Sequence, residues 1–218
     1  MWLPFGKLNS KIMYRGQNLE DKTVAEWFGQ YTGTLLSIGE NNGEIFSNAL
    51  ELIERGWTAV LCEPSPKVFP ALCNLHQYNS NVVCCEVAIG DKNGKAILFD
   101  SGELLGIGDR ALVSTAKKEE TERWASLKMP FEEVEVDMVT WDTFLEGCPH
   151  QKFQFISIDA EGYDLTILRQ MDLDRLDCKC LCIEWNSLPN ILYQIMQYCS
   201  PLGFKEIGKN QENVILAR

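Results

Sequence analysis

LLSIGENNGE, residues 35–44, is a short apolar run that stops in a polar turn flanked by Gly39 and Gly43, with an apolar-periodic stretch directly behind it. A run of this length bounded by turn residues fits a buried strand, and EIFSNALELIER at 44–55 then places Ile45, Phe46, Ala49, Leu50, Leu52 and Ile53 on one helical face. Gly56 closes that predicted helix. TAVLC at 58–62 is the next strand. A strand, a helix of about three turns and a second strand predict a parallel pair joined by a right-handed crossover.

Outward from this unit the alternation continues. Pro66 opens a predicted helix running to Tyr78, NVVCCEVAIG at 81–90 is a third strand, FQFISID at 153–159 a fourth, buried on both faces, and LCIEW at 181–185 a fifth. FKEIGKNQENVILAR at 204–218 reads as two strands around a polar turn, an antiparallel hairpin. Between the third and fourth strands lies an insertion of about sixty residues, a size that usually carries function. It holds a DKNG turn at 91–94, a charged stretch KKEETERW at 117–124 and strand-like VEVDMV at 134–139. DKTVAEWFGQY at 21–31 predicts a helix ahead of the first strand. The chain reads as one α/β domain over 1–218, with an N-terminal helical extension over 1–33 and a lid-like insertion over 100–135.

Composition narrows the function. With 218 residues, 45% of them hydrophobic, the chain can bury one sizeable core. Its 20 Lys and Arg against 31 Asp and Glu give a net charge of −11, which repels phosphate backbones and anionic membranes, so neither nucleic acid nor membrane is an expected partner. No apolar run approaches the roughly 18–20 residues of a membrane span, and the start Met1-Trp2-Leu3-Pro4-Phe5 is too short for a signal-peptide core. A cytoplasmic protein is expected. The nine cysteines are odd in number and include no C-x-x-C pair, which fits neither a disulfide framework nor a zinc site. Cys178, Cys180 and Cys182 alternate in CKCLCIEW, which on a strand places all three on one face as small core residues.

In open α/β sheets ligands sit beyond the carboxyl ends of the strands, where the strand order reverses, and the Gly39–Gly43 turn occupies such a place. Glycines admit a close ligand, and a following helix N-terminus offers unpaired N–H groups. The second strand ends in Glu63-Pro64-Ser65-Pro66, and an acid about twenty residues after a glycine turn is placed to accept hydrogen bonds from both hydroxyls of a ribose. An adenosine-containing ligand follows. A dinucleotide turn needs G-x-G-x-x-G, whereas Gly39-Glu40-Asn41-Asn42-Gly43 has the wrong spacing and an acid that repels phosphate. An amino-acid-bearing sulfonium ligand, S-adenosylmethionine, tolerates that acid. A formal G-x-G-x-x-A at Gly106-Ile107-Gly108-Asp109-Arg110-Ala111 lies inside the insertion instead of opening a strand–helix unit and is read as a loop.

IGENNG at 38–43, EPSP at 63–66 with VAIGDKNGKAILF at 87–99, and above all SIDAEGYDLTILRQM at 157–171 resemble the FkbM-type S-adenosylmethionine-dependent methyltransferases; GQNLED at 16–21 resembles a segment that precedes the fold in part of that family. The resemblance implies the class I methyltransferase (Rossmann-like) fold, a seven-stranded, mostly parallel sheet with a C-terminal antiparallel hairpin and helices on both faces. It also implies O-methylation of a hydroxyl on a sugar or secondary metabolite. Two positions depart from the family pattern: Ser37 stands where an aspartate is usual and Ser157 where a lysine is usual.

The roles then follow. Gly39, Glu40, Asn41 and Gly43 line the methionine half of the cofactor, Glu63 holds the ribose, and Pro64, Ser65 and Ala88 neighbour the adenine. Asp159, at the end of the fourth strand, borders the transferred methyl and is a candidate to orient or deprotonate the acceptor, with Glu161 a second candidate and His150 a third, at the rim. A blander reading has Asp159 and Glu161 capping the helix behind them. His76 reads as a surface or packing residue. Asp159, Glu184 and Asn186 could together bind a divalent cation, but no Asp-Asp or Asp-Asn pair is present and no metal is favoured. Two rivals remain: a catalytically silent adenosyl-ligand binding module, suggested by Ser37 and Ser157, and an NAD-dependent oxidoreductase, suggested by the Gly106 loop alone.

Overall fold

The computed structural model describes residues 13–106 and 109–218. The apolar start at 1–5, and Ile107 and Gly108 of the glycine loop, lie outside them. In chain order the elements are α1 (Glu20–Phe28), β1 (Thr34–Ile38), α2 (Leu50–Glu54), β2 (Thr58–Cys62), α3 (Phe69–His76), β3 (Val82–Cys85), β4 (Ala88–Gly90) and β5 (Gly94–Ser101). A 3-10 helix (Lys118–Leu127) leads to β6 (Phe131–Thr140), α4 (Trp141–Gly147), β7 (Phe155–Ile158), α5 (Asp164–Leu168), β8 (Cys180–Glu184), α6 (Pro189–Cys199), β9 (Lys205–Lys209) and β10 (Asn213–Ala217).

Seven strands form the main sheet in the order β3-β2-β1-β7-β8-β10-β9. The first five run parallel, and β10 pairs antiparallel with both β8 and β9. This is the seven-stranded sheet with a terminal antiparallel hairpin that defines the class I methyltransferase fold. Successive side chains on a strand face opposite sides. Leu36, Ile38, Ile156, Ile158, Leu181 and Ile183 therefore pack on one face with Phe144 of α4, Leu168 of α5 and Ile195 of α6. Leu35, Ala59, Leu61, Phe155, Cys180 and Cys182 pack on the other with Phe28 of α1, Leu52 of α2 and Leu72 of α3. Phe28 stacks edge-on against Trp57 at 4.6 Å, fixing α1 to the sheet.

Four local readings change. The expected helix over 44–55 shrinks to Leu50–Glu54, because Phe46 leaves the helical region and Ser47 takes backbone donors that a longer helix would use, behind a turn in which Asn42 Oδ1 accepts from the N–H groups of Glu44 and Ile45, both at 2.9 Å. Ser47 Oγ likewise accepts from Ala49 and Leu50, and Phe46 adopts φ 58°. No long helix N-terminus therefore faces the glycine turn. The expected third strand splits into β3, in the main sheet, and β4, which pairs with β6 in a three-stranded sheet of order β4-β6-β5. Cys178 lies before β8 and packs on the face opposite Cys180 and Cys182. Neither Asp159 nor Glu161 caps α5, whose N-cap residue is Tyr163 with no side-chain cap hydrogen bond; Asp164 instead ties down the preceding loop, accepting from Ala160 N at 2.8 Å and Gly162 N at 2.9 Å.

All nine cysteines are free thiols. Among the described residues no helix is long and apolar enough to cross a membrane.

Candidate active site

The strand order reverses between β1 and β7, the place where their carboxyl ends part and open a crevice. Gly39 N and Glu40 N both donate to Cys62 O, at 2.9 and 3.1 Å, and Asp159 N donates to Ile38 O at 2.9 Å, so three strand ends are tied together. Gly39 has φ +82°, and a Cβ there would lie 1.8 Å from Asp159 O. Only glycine fits between these two chain segments.

Above them is a cavity of about 320 Å³, within the range of small-ligand sites. Its floor is Ser37, Gly39, Glu40, Asn41, Glu63 and Pro64; one side is Ala88, Leu98 and Met138; the far end is Asp159, Glu161, Glu184 and Asn186. The insertion closes over it with Leu112, Val113, Arg123 and Trp124. This cover is anchored: Asn41 Nδ2 donates to Arg110 O at 2.8 Å, Thr115 Oγ1 donates to Glu161 O at 2.7 Å, and Lys117 Nζ donates to Gly162 O.

Glu63, at the end of β2, is held by two backbone donors: Asn41 N reaches Oε2 at 2.8 Å and Ser65 N reaches Oε1 at 2.7 Å. Each oxygen keeps one lone-pair direction for a ligand. Burial pushes Glu63 up to about 7, against those two N–H groups and with Asp100 and Glu40 adding repulsion. Burial likewise pushes Glu40 up to about 7, with the hydroxyls of Ser37 and Ser47 opposing. Asp159 rises to about 8 through burial and then the neighbouring charge of Asp164. Glu161 and Glu184 move well above the carboxylate range for the same first reason, with Arg123 opposing in both. The crevice is thus rich in carboxylates and short of cations.

Of the residues singled out from sequence, Gly39, Glu40, Asn41, Glu63, Pro64, Ala88, Asp159, Glu161, Glu184 and Asn186 come together on the cavity wall. Gly43 and Ser65 stand behind it; Ser65 braces Glu63 through its N–H and donates its Oγ to Asp100 Oδ2 at 3.0 Å. His150 is a misplacement: it precedes the first residue of β7, so the length of that strand separates it from Asp159 at the other end. His76 is buried, as a packing residue would be, and burial lowers its imidazole below the usual range.

The sequence reading did not assign Glu20, Asn48, Arg123, Trp124 or Glu212, all on the wall. Glu20 accepts from Asn210 Nδ2 at 2.6 Å and Asn213 Nδ2 at 3.1 Å, which ties α1 to the terminal hairpin. The only clue to it was the GQNLED segment. Asn48 Oδ1 is buried and has no hydrogen-bond partner among the described residues, an unmet acceptor facing a site built from acids.

A family model described as the methyltransferase FkbM domain matches residues 37–206. No curated protein matches the sequence. Solved structures similar to this chain include a ribosomal protein L11 methylase from Lactobacillus delbrueckii subsp. bulgaricus, at 13% identity and TM-score 0.47, covering 92% of this chain and 78% of that one. A precorrin-6y C5,15-methyltransferase from Geobacter metallireducens GS-15 is 11% identical at TM-score 0.49, covering 96% and 91%. The N-terminal domain of human METTL16 in complex with SAH is 12% identical at TM-score 0.45, covering 91% and 65%.

Proposed function

The chain belongs to the FkbM methyltransferase domain family, and on that premise we propose that it methylates a hydroxyl of a small molecule, using S-adenosylmethionine as donor. One observation supports this reading most: Glu63 ends β2 with both oxygens fixed by backbone N–H groups and a free lone-pair direction on each, an arrangement suited to a pair of ribose hydroxyls. The orphaned Asn48 Oδ1 and the buried carboxylate of Glu40 suit the ammonium of an amino-acid tail, and Ala88, Leu98 and Met138 offer an apolar wall for a flat base.

Bound S-adenosylmethionine supplies an electrophilic methyl group on a sulfonium. The residues supply placement. Asp159 and Glu161 border the acceptor end, where either group, when ionised, can accept the proton of an acceptor hydroxyl. Burial favours proton uptake by both groups. The cover carrying Leu112, Val113 and Trp124 excludes water, and alignment of two bound reactants can itself remove several kcal/mol of barrier. Ser37, where an acid is usual in the family, pairs with Ser157 across β1 and β7, and its hydroxyl supports Glu40, which takes over the ammonium.

Calorimetric titration with S-adenosylmethionine tests the reading. Saturable binding, weakened by Glu63→Ala, is expected; no binding by the wild type overturns it. Binding without methyl transfer to a broad panel of hydroxylated acceptors would favour a silent ligand-binding module, the reading that Ser37 and Ser157 suggest. Gly106 follows β5 inside the insertion, away from the start of any main-sheet strand, and lends nothing to an NAD-dependent oxidoreductase.

A further inference from the structure

The geometry points to a divalent-cation site formed by Asp159, Asp164 and Glu184 at the acceptor end of the cavity. Each offers one carboxylate oxygen, and these oxygens all lie within 4.8 Å of one another. Two oxygens bound to one Ca²⁺ at about 2.3–2.6 Å can stand at most about 4.6–5.2 Å apart, and two bound to Mg²⁺ at about 2.0–2.1 Å at most about 4.0–4.2 Å, so a limit of 4.8 Å is within the reach of the larger ion.

A cluster of acids alone would not justify an ion. Glu184 supplies the second observation: it is 7% exposed, and its Oε2 is buried with no hydrogen-bond partner among the described residues. Buried carboxylate oxygens are costly unless something satisfies them. No Lys or Arg forms an ion pair with any of the three among the described residues, whereas the adjacent Glu161 has Arg123 at 3.7 Å. Asp164 is preset for ligation, because the N–H groups of Ala160 and Gly162 fix its carboxylate and leave a lone-pair direction on each oxygen.

The residues come from three elements: the end of β7, the first residue of α5 and the end of β8. Asp164 is invisible to a reading that looks only at strand ends, and Asn186, the partner suggested by sequence, also lines the cavity. Three carboxylates leave coordination positions open for water or for oxygens of a bound molecule. Assigning those positions to the methyl acceptor, whose hydroxyl the cation would acidify, rests on the methyltransferase reading.

The test is calorimetric titration of the protein with Ca²⁺ and with Mn²⁺, the latter also followed by electron paramagnetic resonance, in the absence of S-adenosylmethionine. Glu184→Gln and Asp159→Asn are the variants, since Asp164 also holds the loop at Ala160 and Gly162; far-UV circular dichroism checks their folding. One saturable site per chain is expected, weakened at least about tenfold in either variant. Wild type without saturable binding, or two folded variants that bind as wild type does, overturns the proposal. A parallel titration with S-adenosylmethionine separates the two readings. Donor binding without cation binding sinks the cation site alone, and cation binding without donor binding sinks the methyltransferase reading alone.

Discussion

Replacing Glu63 by glutamine changes the site by one charge and one acceptor. In the wild type both carboxylate oxygens receive a backbone N–H, at 2.8 and 2.7 Å, and each retains room for a ribose hydroxyl. The amide keeps one such oxygen; its NH₂ faces the other backbone donor and can accept nothing. One charge-assisted hydrogen bond to the donor is therefore lost, a cost of about 1.5–3 kcal/mol, or roughly 10- to 150-fold in affinity for S-adenosylmethionine. A second signature separates this from mere loosening. Burial places Glu63 at about 7, and only the ionised form accepts two hydroxyls, so wild-type affinity should rise as pH climbs from 6 to 8. Each unit below such a pKa costs up to about tenfold. Glu40 titrates in the same range and adds to the slope, so Glu63→Gln should flatten the profile without abolishing it. Calorimetry at pH 6, 7 and 8 on both proteins reads both effects. A variant within twofold of wild type, or one with an unchanged pH slope, refutes the argument.

Three further outcomes follow from the same geometry. Glu40 and Glu63 sit at about 7 and Asp159 at about 8, so the folded protein keeps protons that the unfolded chain sheds near pH 4–5. Stability of the ligand-free protein should therefore fall as pH rises from 4.5 to 8, and each raised unit counts for about 1.4 kcal/mol. Thermal melts at pH 5 and 8.5 check this, and a higher melting temperature at pH 8.5 contradicts it. Gly39→Ala puts a Cβ 1.8 Å from Asp159 O at φ +82°, and should cost about 2–5 kcal/mol in urea unfolding while weakening donor binding. Trp124→Ala should raise the acceptor KM about tenfold yet leave the S-adenosylmethionine Kd within twofold, because Trp124 belongs to the cover and not to the floor. Equal loss in both constants would place it on the donor instead.

The parts of the fold legible from sequence are those in which local pattern and tertiary fate coincide. The runs at 34–38, 58–62, 155–158 and 180–184 are apolar because both faces of a central parallel strand are buried, and polar turns bound them. Glu63 was legible because the second strand must end beside the first glycine turn. Residues 44–49 misled because apolar spacing cannot show that Phe46 turns left-handed and Ser47 takes the backbone donors of Ala49 and Leu50. The run 81–90 looked continuous because β-forming composition does not reveal that Glu86 and Val87 carry the chain between sheets. His150 misled because nearness in sequence to a catalytic strand says nothing about which end it adjoins. Glu20 reaches the wall beside Glu184, and Asp164 reaches Asp159 and Glu184, only through the fold: one precedes the sheet, one follows β7, and one ends β8.

The small sheet of β4, β5 and β6 has its own buried cluster, Ala88, Ala96, Leu98, Val136 and Met138, and shares no ladder with the seven-stranded sheet. Three of those residues, Ala88, Leu98 and Met138, also line the cavity. Drift in this module can thus retune the wall offered to the base while the Glu63 end of the cradle stays intact, because changes in separate clusters combine almost independently. The cover at 111–124, and not this sheet, is accordingly the natural stretch for grafting new acceptor preferences onto an unaltered chassis.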